Sequence, residues 1–259
     1  MTTPVYRKGR ADAPPGYFDW EAAGLAWLAV PGGPRVVRVL AVTEAGLELE
    51  HVSTSAPSRA AATDLGQDLA RMHEAGAGDF GSPPDGWVGD GYFGPLAEPL
   101  PLLADAAATW GPFYADSRLG PVGEMLAVRG RLDPDLRTDL TRLRDRLRAG
   151  EWEDDEPPAR VHGDLWAGNL LWTDGGVVLI DPAAHGGHPL TDLAMLDLFG
   201  LAHLDAVLDA YEQEHRLVDG WRDLLGLHQV FPLAVHAVLF GGSYVHRTAA
   251  LVHRWAHGR

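Results

Sequence analysis

The chain has 259 residues, enough for one large domain or for a small lobe packed on a larger one. Its formal net charge of −15 opposes non-specific binding to nucleic acid or to an anionic membrane, because both attract basic surfaces. The absence of cysteine excludes disulfides, thiolate metal sites and a cysteine nucleophile.

The first 54 residues predict a small lobe of strands and one helix. Val5 to Lys8 is typical of a short strand, and Phe18 to Ala29 has the apolar spacing of a helix. Two more strands are predicted at Arg35 to Val42 and at Leu47 to Val52, joined by a short turn.

Residues 55 to 259 predict a larger, mainly helical lobe. A helical pattern begins at Arg59 and runs to Ala75, and most of the later chain is helical too. The exception is a predicted hairpin in which Leu170 to Trp172 and Val177 to Ile180 flank an Asp-Gly-Gly turn. We therefore expect a two-lobed α+β fold.

Polar residues bracket this hairpin. His162, Asp164 and Asn169 precede it, and Asp181 follows it. The two ends of a hairpin lie side by side, so these groups are expected to converge. Their spacing is the catalytic-loop pattern of kinases, followed one hairpin later by a metal-binding aspartate. The alternative is a turn-rich loop whose acids cap helices, but the complete set favours the kinase pattern.

Phosphoryl transfer requires magnesium held against the phosphates and an acceptor hydroxyl placed in line. Magnesium prefers oxygen ligands, which Asn169 and Asp181 supply. A further carboxylate has to orient the acceptor hydroxyl and take its proton. Asp164, five residues before Asn169, is the predicted catalytic base.

Lys8 is the only lysine among 21 basic residues, and it lies on the first predicted strand. Kinases use a strand lysine to hold the α- and β-phosphates and a glutamate on a helix to hold that lysine. Glu21 on the following helix fits that partner. Asp19 and Glu44 are weaker candidates, because one precedes the helix body and the other lies in a turn.

Longer motifs resemble one family. The chain reads His162-Gly-Asp-Leu-Trp-Ala-Gly-Asn169, then Leu179-Ile-Asp-Pro-Ala183, then Asp192-Leu-Ala-Met-Leu-Asp-Leu-Phe-Gly200. These stretches resemble the fructosamine (ketosamine) kinases, within the aminoglycoside-phosphotransferase-like and protein-kinase-like fold. The tryptophan, the proline and the last run distinguish this family from other members of the fold. The similarity covers nearly the whole chain.

The resemblance implies ATP and Mg²⁺ as cofactors. It makes Asp164 the base, makes Asn169 and Asp181 the magnesium ligands, and makes Lys8 with Glu21 the phosphate-holding pair. The backbone of three residues that end the last N-lobe strand would meet adenine, namely Glu50, His51 and Val52.

On the acceptor side, the resemblance places Trp166 near the sugar, where an aromatic ring packs on C–H groups; ordinary core packing is the alternative. His185 and His188 are expected either to line the acceptor pocket or to hydrogen-bond locally. Asp192 would hold the catalytic loop through backbone N–H groups. Four histidines of the C-terminal helices are assigned to packing or to the surface: His228, His236, His246 and His253.

One departure from the fold concerns the glycine-rich hairpin that covers the ATP phosphates. Only seven residues precede Lys8, so we expect a truncated N-lobe without that hairpin. The glycines and prolines between Gly9 and Gly16, or a partner chain, could cover the phosphates instead. A misassigned start of the chain is a further alternative.

The leading hypothesis is a small-molecule kinase whose substrate is a ketosamine, either a free sugar amine or a glycated protein. The alternatives are a kinase for an aminoglycoside, amino sugar or amino alcohol, which the acidic charge permits, and a nucleotide-binding pseudokinase. Asp164, Asn169 and Asp181 are all present, which speaks against the pseudokinase. The chain shows no basic-then-apolar leader and no long apolar run, so we expect a cytoplasmic protein without a membrane partner. The acidic charge argues against a nucleic-acid partner, and the absence of cysteine, which excludes a thiol-linked dimer, favours a monomer.

Overall fold

The computed structural model describes residues 4–44 and 46–258. The strands in this part of the chain are β1 (Val5–Gly9), β2 (Arg35–Val36), β3 (Val39–Thr43), β4 (Gly46–Glu50), β5 (Gly91–Phe93), β6 (Leu100–Leu102), β7 (Ala159–Val161), β8 (Leu170–Thr173), β9 (Gly176–Leu179) and β10 (His185–Gly187).

The helices are α1 (Tyr17–Leu28), α2 (Arg59–Glu74), α3 (Trp110–Phe113), α4 (Gly120–Val128), α5 (Pro134–Arg148), α6 (Leu190–Phe199), α7 (Leu204–Glu214), α8 (Trp221–His228), α9 (Val230–Phe240) and α10 (Ser243–His257). A π-helical segment, Tyr114–Leu119, joins α3 to α4, and a 3-10 turn, Ala167–Asn169, leads into β8. The predicted two-lobed α+β fold is confirmed.

The small lobe contains an antiparallel sheet with the order β1-β4-β3 and the helix α1. Leu47 and Leu49 point inward from β4 and pack with Phe18 and Leu25 of α1 in one buried cluster. The sheet brings Lys8 opposite Leu47.

The predicted single strand from Arg35 to Val42 is wrong, because the chain forms two strands there. β2 leaves the small sheet and pairs in parallel with β9, with Arg35 opposite Val178. Val37 is buried, and its N–H donates to the Leu179 carbonyl at 3.0 Å. The chain then turns back so that β3 pairs with β4. The small lobe therefore contributes a strand to the hairpin of the large lobe.

The large lobe is built on α2 and α7, which pack against each other over a long contact. Ser58 caps the N-terminus of α2, because its hydroxyl oxygen accepts the Ala61 N–H at 3.2 Å. Leu65, Leu69 and Met72 occupy one face of the helix at helical spacing and are fully buried.

The mid-chain hairpin is present. β8 and β9 pair antiparallel with Leu170 opposite Leu179, and Thr173 lies opposite Gly176 at the turn. At the open end of the hairpin, the Ile180 N–H donates to the Asn169 carbonyl at 3.1 Å. That bond holds the residues on either side of the hairpin together.

The helical stretch Trp221–Phe240, which includes α8 and α9, is long and apolar enough to cross a membrane by length and composition. We expected no apolar run of that length from the sequence. However, 56% of its most apolar window is buried inside this fold, and core helices of soluble proteins meet the same criterion. This stretch is therefore weak support for a membrane span.

Candidate active site

The predicted catalytic loop and the residue after the hairpin meet at one point. The Asn169 side-chain Nδ2 donates to the Asp164 carbonyl at 2.8 Å and to Asp164 Oδ2 at 3.1 Å. The same nitrogen lies 3.4 Å from the Asp181 carbonyl oxygen. Because the amide nitrogen is engaged in this way, the Asn169 side-chain oxygen is left to accept or to coordinate.

Asp181 adopts a left-handed backbone conformation, with φ of 54°. A non-glycine residue in this region is strained and is held there by its surroundings. Gly163 makes the neighbouring turn possible: its φ is 79°, and a Cβ there would lie 2.3 Å from the Ala183 carbonyl oxygen. The loops before and after the hairpin are thereby packed backbone against backbone.

Lys8 reaches this point from β1. Its Nζ donates to Glu21 Oε2 at 2.8 Å and lies 3.2 Å from Asp181 Oδ1. Burial lowers the pKa of Lys8, but the carboxylates of Glu21 and Asp181 outweigh that effect and raise it above its ordinary value. The ammonium is therefore fixed as a cation between the lobes. Among the candidates for its partner, the structure selects Glu21.

Asp192 supports the catalytic loop from the first turn of α6. Its oxygens accept the His162 N–H at 2.7 Å and the Gly163 N–H at 2.9 Å. The His73 ring nitrogen Nε2 lies 3.1 Å from Oδ2, and its Nδ1 lies 2.8 Å from the Tyr211 hydroxyl. The fully buried carboxylate thus joins the loop to α2 and α7.

The Asp164 carboxyl group lies in a poorly solvated position. Burial raises its pKa to about 7, and the hydrogen bond from Asn169 only partly opposes this. A carboxylate with a raised pKa is a better proton acceptor near neutral pH than an ordinary aspartate.

A cavity of about 340 Å³ opens over these groups. Its polar wall contains the groups described above, and its remaining walls are largely aromatic and aliphatic. The lining residues are Lys8, Tyr17, Trp20, Glu21, Tyr92, Phe93, Gly94, Pro95, Leu96, Asp164, Trp166, Asn169, Asp181, Pro182, Ala183, Val235, His236, Leu239 and Phe240.

A second cavity, of about 250 Å³, lies on the other side of Asp181, between the lobes. Glu50, His51 and Val52 line it, together with apolar residues of β4 and of the hairpin region such as Leu171 and Ile180. Asp181 lines both cavities. The two spaces therefore meet at the carboxylate that also contacts Lys8.

Trp166 stands on the wall of the larger cavity and is 41% exposed. Its ring lies over Gly168, where an added Cβ would come within 2.3 Å of the indole. It also contacts Phe199 edge to face, with 6.2 Å between ring centroids. Of the two expectations for Trp166, the structure favours a cavity wall over simple core packing.

His185 and His188 do not line either cavity. His185 Nδ1 donates to the Ala183 carbonyl at 2.8 Å, and burial lowers the pKa of this histidine to about 3. His188 Nε2 lies 3.2 Å from Asp154 Oδ2, and its ring packs on Trp110. The two histidines were expected either to line the acceptor pocket or to hydrogen-bond locally, and the structure shows the second arrangement for both.

Several cavity residues were missed by the sequence reasoning. His236 was assigned to packing or to the surface, yet it lines the cavity from α9 together with Phe240. Tyr92 of β5 also lines the cavity, and no role was predicted for it. A Tyr-Phe pair flanked by glycines was the available signal there, whereas nothing in the α9 sequence distinguished His236 from a core histidine.

Comparisons with known proteins find a matching family and similar structures. A sequence model of the family described as fructosamine kinase matches residues 3–257. A protein of Lactiplantibacillus plantarum, provisionally named a ketoamine kinase, is 32% identical over 231 residues, which cover 88% of this chain and 78% of that protein. A crystal structure from Thermobifida fusca, provisionally named a fructosamine-3-kinase, is 44% identical and has a TM-score of 0.88, covering 98% of this chain and 85% of that one.

A more distant likeness concerns the fold alone. A thermostable mutant of the aminoglycoside phosphotransferase APH(4)-Ia, crystallised with AMP-PNP and hygromycin B, is 16% identical and has a TM-score of 0.59. The match covers 98% of this chain and 86% of that one.

Proposed function

Since the chain belongs to the fructosamine kinase family, we propose that it transfers the γ-phosphate of ATP to a sugar hydroxyl of a ketosamine. The observation that carries this proposal is the meeting of Lys8, Asp164, Asn169 and Asp181 where the two cavities join. One cavity suits the nucleotide and the other suits the acceptor, so that the γ-phosphate would lie beside Asp181.

The nucleotide would occupy the cavity between the lobes. The N–H groups of Glu50 and His51 already donate to the carbonyls of Arg38 and Pro4. No partner is found for the Val52 N–H within residues 4–44 and 46–258. We expect the Val52 N–H to donate to the edge of adenine, while Leu49 and Ile180 offer apolar contact to its faces. Lys8 would hold the α- and β-phosphates.

The residues present fit a magnesium ion. The Asp181 side chain is 40% exposed, and no donor to the Asn169 side-chain oxygen is found in the described part of the chain, so the donor set is the hard oxygen type that Mg²⁺ requires. When bound, the ion would neutralise charge on the phosphates. Asp181 would then exchange part of its contact with Lys8 for the metal.

Asp164 would act as the base. Its carboxylate would accept a hydrogen bond from the acceptor hydroxyl and orient that oxygen in line with the γ-phosphorus. As the new O–P bond forms and the bond to the ADP oxygen breaks, the hydroxyl proton passes to Asp164. Asn169, which donates to Asp164 Oδ2, would fix the rotamer of the base.

The cavity walls favour a ketosamine over an aminoglycoside. The carboxylates that line the larger cavity are Glu21, Asp164 and Asp181, and each is engaged with Lys8 or Asn169. A polycationic aminoglycoside would need additional acidic groups. A sugar with one amine is better served by aromatic walls, on which C–H faces and a single cation can pack.

The test is an acceptor screen in which ADP release is followed with Mg-ATP and one acceptor at a time. The panel contains free fructosyl-lysine, free ribulosyl-lysine, a glycated protein, an aminoglycoside and ethanolamine. We expect turnover with one or both ketosamines, and a comparison of the free and protein-bound forms separates these two substrates.

Turnover with the aminoglycoside or with ethanolamine and not with any ketosamine would overturn the acceptor assignment. ATP binding without turnover on any acceptor would favour a nucleotide-binding pseudokinase, the alternative that the complete catalytic set opposes.

A further inference from the structure

A second group of metal-ligating side chains lies outside the active site, where α5 and α10 pack together. Asp139 of α5 faces His253 and His257 of α10. His253 Nδ1 lies 2.8 Å from Asp139 Oδ2, and His257 Nε2 lies 2.6 Å from Asp139 Oδ1. The potential ligand atoms of the three residues all lie within 4.8 Å of one another.

The packing of the two helices fixes these side chains in place. His253 and His257 are four residues apart, so they lie on one face of α10, with ring centroids 4.6 Å apart. Each of the three residues directly adjoins a buried residue of the same hydrophobic cluster: Leu140, Val252 and Ala256. The backbones that carry the ligands are therefore anchored by the core, whereas His253 is 67% exposed and accessible from solvent.

The donor set identifies the class of ion. Two imidazoles and one carboxylate suit borderline divalent cations such as Zn²⁺, Ni²⁺ and Cu²⁺, whereas Mg²⁺ and Ca²⁺ prefer oxygen donors alone. Zn²⁺ with bonds of about 2.0–2.2 Å would need donor atoms roughly 3.3 Å apart, which small side-chain rotations can reach here. To coordinate the ion, each histidine would give up the proton that now donates to Asp139 and would carry a proton only on its other ring nitrogen, so the tautomer changes on binding.

We propose that Asp139, His253 and His257 bind a divalent transition-metal ion of the zinc type, which links the C-terminal helix to α5. The present hydrogen bonds hold the three groups together in its absence. The remaining coordination positions face solvent and would be taken by water. This proposal is independent of the kinase activity, because none of the three residues lines the active-site cavities.

The test is Zn²⁺ titration of the full chain by calorimetry, with Mg²⁺ in large excess to occupy the oxygen ligands of the active site. We expect one Zn²⁺ per chain, and we expect His253→Gln and His257→Gln each to weaken binding by at least about tenfold. His246→Gln is the matched control, since His246 is an exposed histidine of α10 outside the cluster. Co²⁺ should give a visible absorption band that the same two variants lose.

A second readout is the thermal midpoint. Zn²⁺ should raise it in the unmodified chain and in His246→Gln, because an ion that binds only the folded state stabilises that state. Equal Zn²⁺ affinity in all four proteins, or no binding tighter than about 100 μM, would overturn the proposal; the midpoints without metal report whether the variants fold.

Discussion

At the level of single side chains, Asp164 is the group on which turnover depends most. We predict that Asp164→Asn lowers kcat by at least about 100-fold, because an amide cannot take the hydroxyl proton. The side chain keeps its size, so ATP affinity should change little. Steady-state ADP release and calorimetric ATP binding measure the two effects.

Asp174→Asn is the control for that substitution, since Asp174 lies exposed in the turn of the hairpin. It should leave both kcat and ATP affinity unchanged. If Asp164→Asn retained more than about a tenth of the unmodified kcat, Asp164 would not be the base.

His236 is the residue through which α9 is expected to meet the acceptor. Its Nδ1 donates to the Pro232 carbonyl at 2.8 Å, and burial lowers its pKa, so Nε2 of the neutral ring is left to accept a hydrogen bond. We predict that His236→Ala raises KM for the acceptor about tenfold, the cost of one hydrogen bond, and leaves KM for ATP unchanged.

His246→Ala supplies the comparison for His236→Ala, as an exposed histidine on the next helix. A rise in KM for ATP as large as that for the acceptor would show that His236 acts on the fold of the cleft and not on the acceptor.

At the level of elements, Asp192 couples the start of α6 to the catalytic loop and to α2. Burial would raise the pKa of Asp192, but the hydrogen bonds from His73 and from the His162 backbone N–H outweigh this effect and hold the pKa below its ordinary value. We predict that Asp192→Asn lowers the free energy of unfolding by about 3 kcal/mol at pH 7, because buried donors lose their acceptor.

The pH dependence of that loss has a definite sign. A carboxyl group whose pKa is lowered in the folded state stabilises the fold above its unfolded pKa and ceases to do so as pH falls through the folded pKa. The free energy of unfolding, measured by urea denaturation, should differ between the unmodified protein and Asp192→Asn by a constant amount from pH 8 to about 5. This difference should narrow below about pH 4. Asp219→Asn, at a side chain 98% exposed, should show no such difference.

The contact between α2 and α7 depends on Gly66. A Cβ at this position would lie 2.2 Å from the Val207 carbonyl oxygen and 2.9 Å from the Ala210 Cβ. We predict that Gly66→Ala lowers the free energy of unfolding by about 1–3 kcal/mol, although alanine is the better helix former, because the helices must move apart.

Gly78→Ala is the matched substitution, since nothing lies within 4 Å of a Cβ at that exposed position. It should change the denaturation midpoint little. Equal midpoints for the two variants would show that α2 and α7 adjust without cost.

On the scale of the whole molecule, Lys8 connects the lobes by bridging Glu21 of α1 to Asp181 after the hairpin. We predict that Lys8→Met removes the rise in thermal midpoint that Mg-ATP causes and lowers kcat/KM at least about 100-fold, because the phosphates lose their fixed cation. Each midpoint is compared with that of the same variant without ATP.

Arg7→Met tests whether any change in β1 has this effect, since the Arg7 side chain is 72% exposed and pairs with Glu48 on the surface. Arg7→Met should keep the rise in thermal midpoint that Mg-ATP causes. If Mg-ATP also raised the thermal midpoint of Lys8→Met, the phosphate-holding role of Lys8 would be excluded.

Much of the site could be predicted because its parts are close in sequence or follow simple geometry. The hairpin fixes the distance between Asn169 and Asp181 through local pairing, so spacing alone indicated their convergence. Lys8 was identified by its rarity, and Glu21 by its place on the next helix. These inferences required only secondary structure and the known needs of phosphoryl transfer.

The remaining features depend on packing between distant segments. The parallel pairing of β2 with β9 joins residues over 140 positions apart, and the sequence of β2 carries no sign of that partner. His236 and His188 have similar apolar neighbours in the sequence. In the structure, however, His236 lines the larger cavity, whereas His188 pairs with Asp154 in the core.

The sequence by itself determined the family and the kinase activity, and it predicted the residues proposed to carry that chemistry, because the spacing of such residues is set by local backbone geometry. Only the tertiary structure decided which aromatic and histidine side chains line the larger cavity, and that Asp139 meets the histidines of the last helix. Such contacts arise when helices far apart in the chain pack together, and helical periodicity specifies a buried face without specifying its partner.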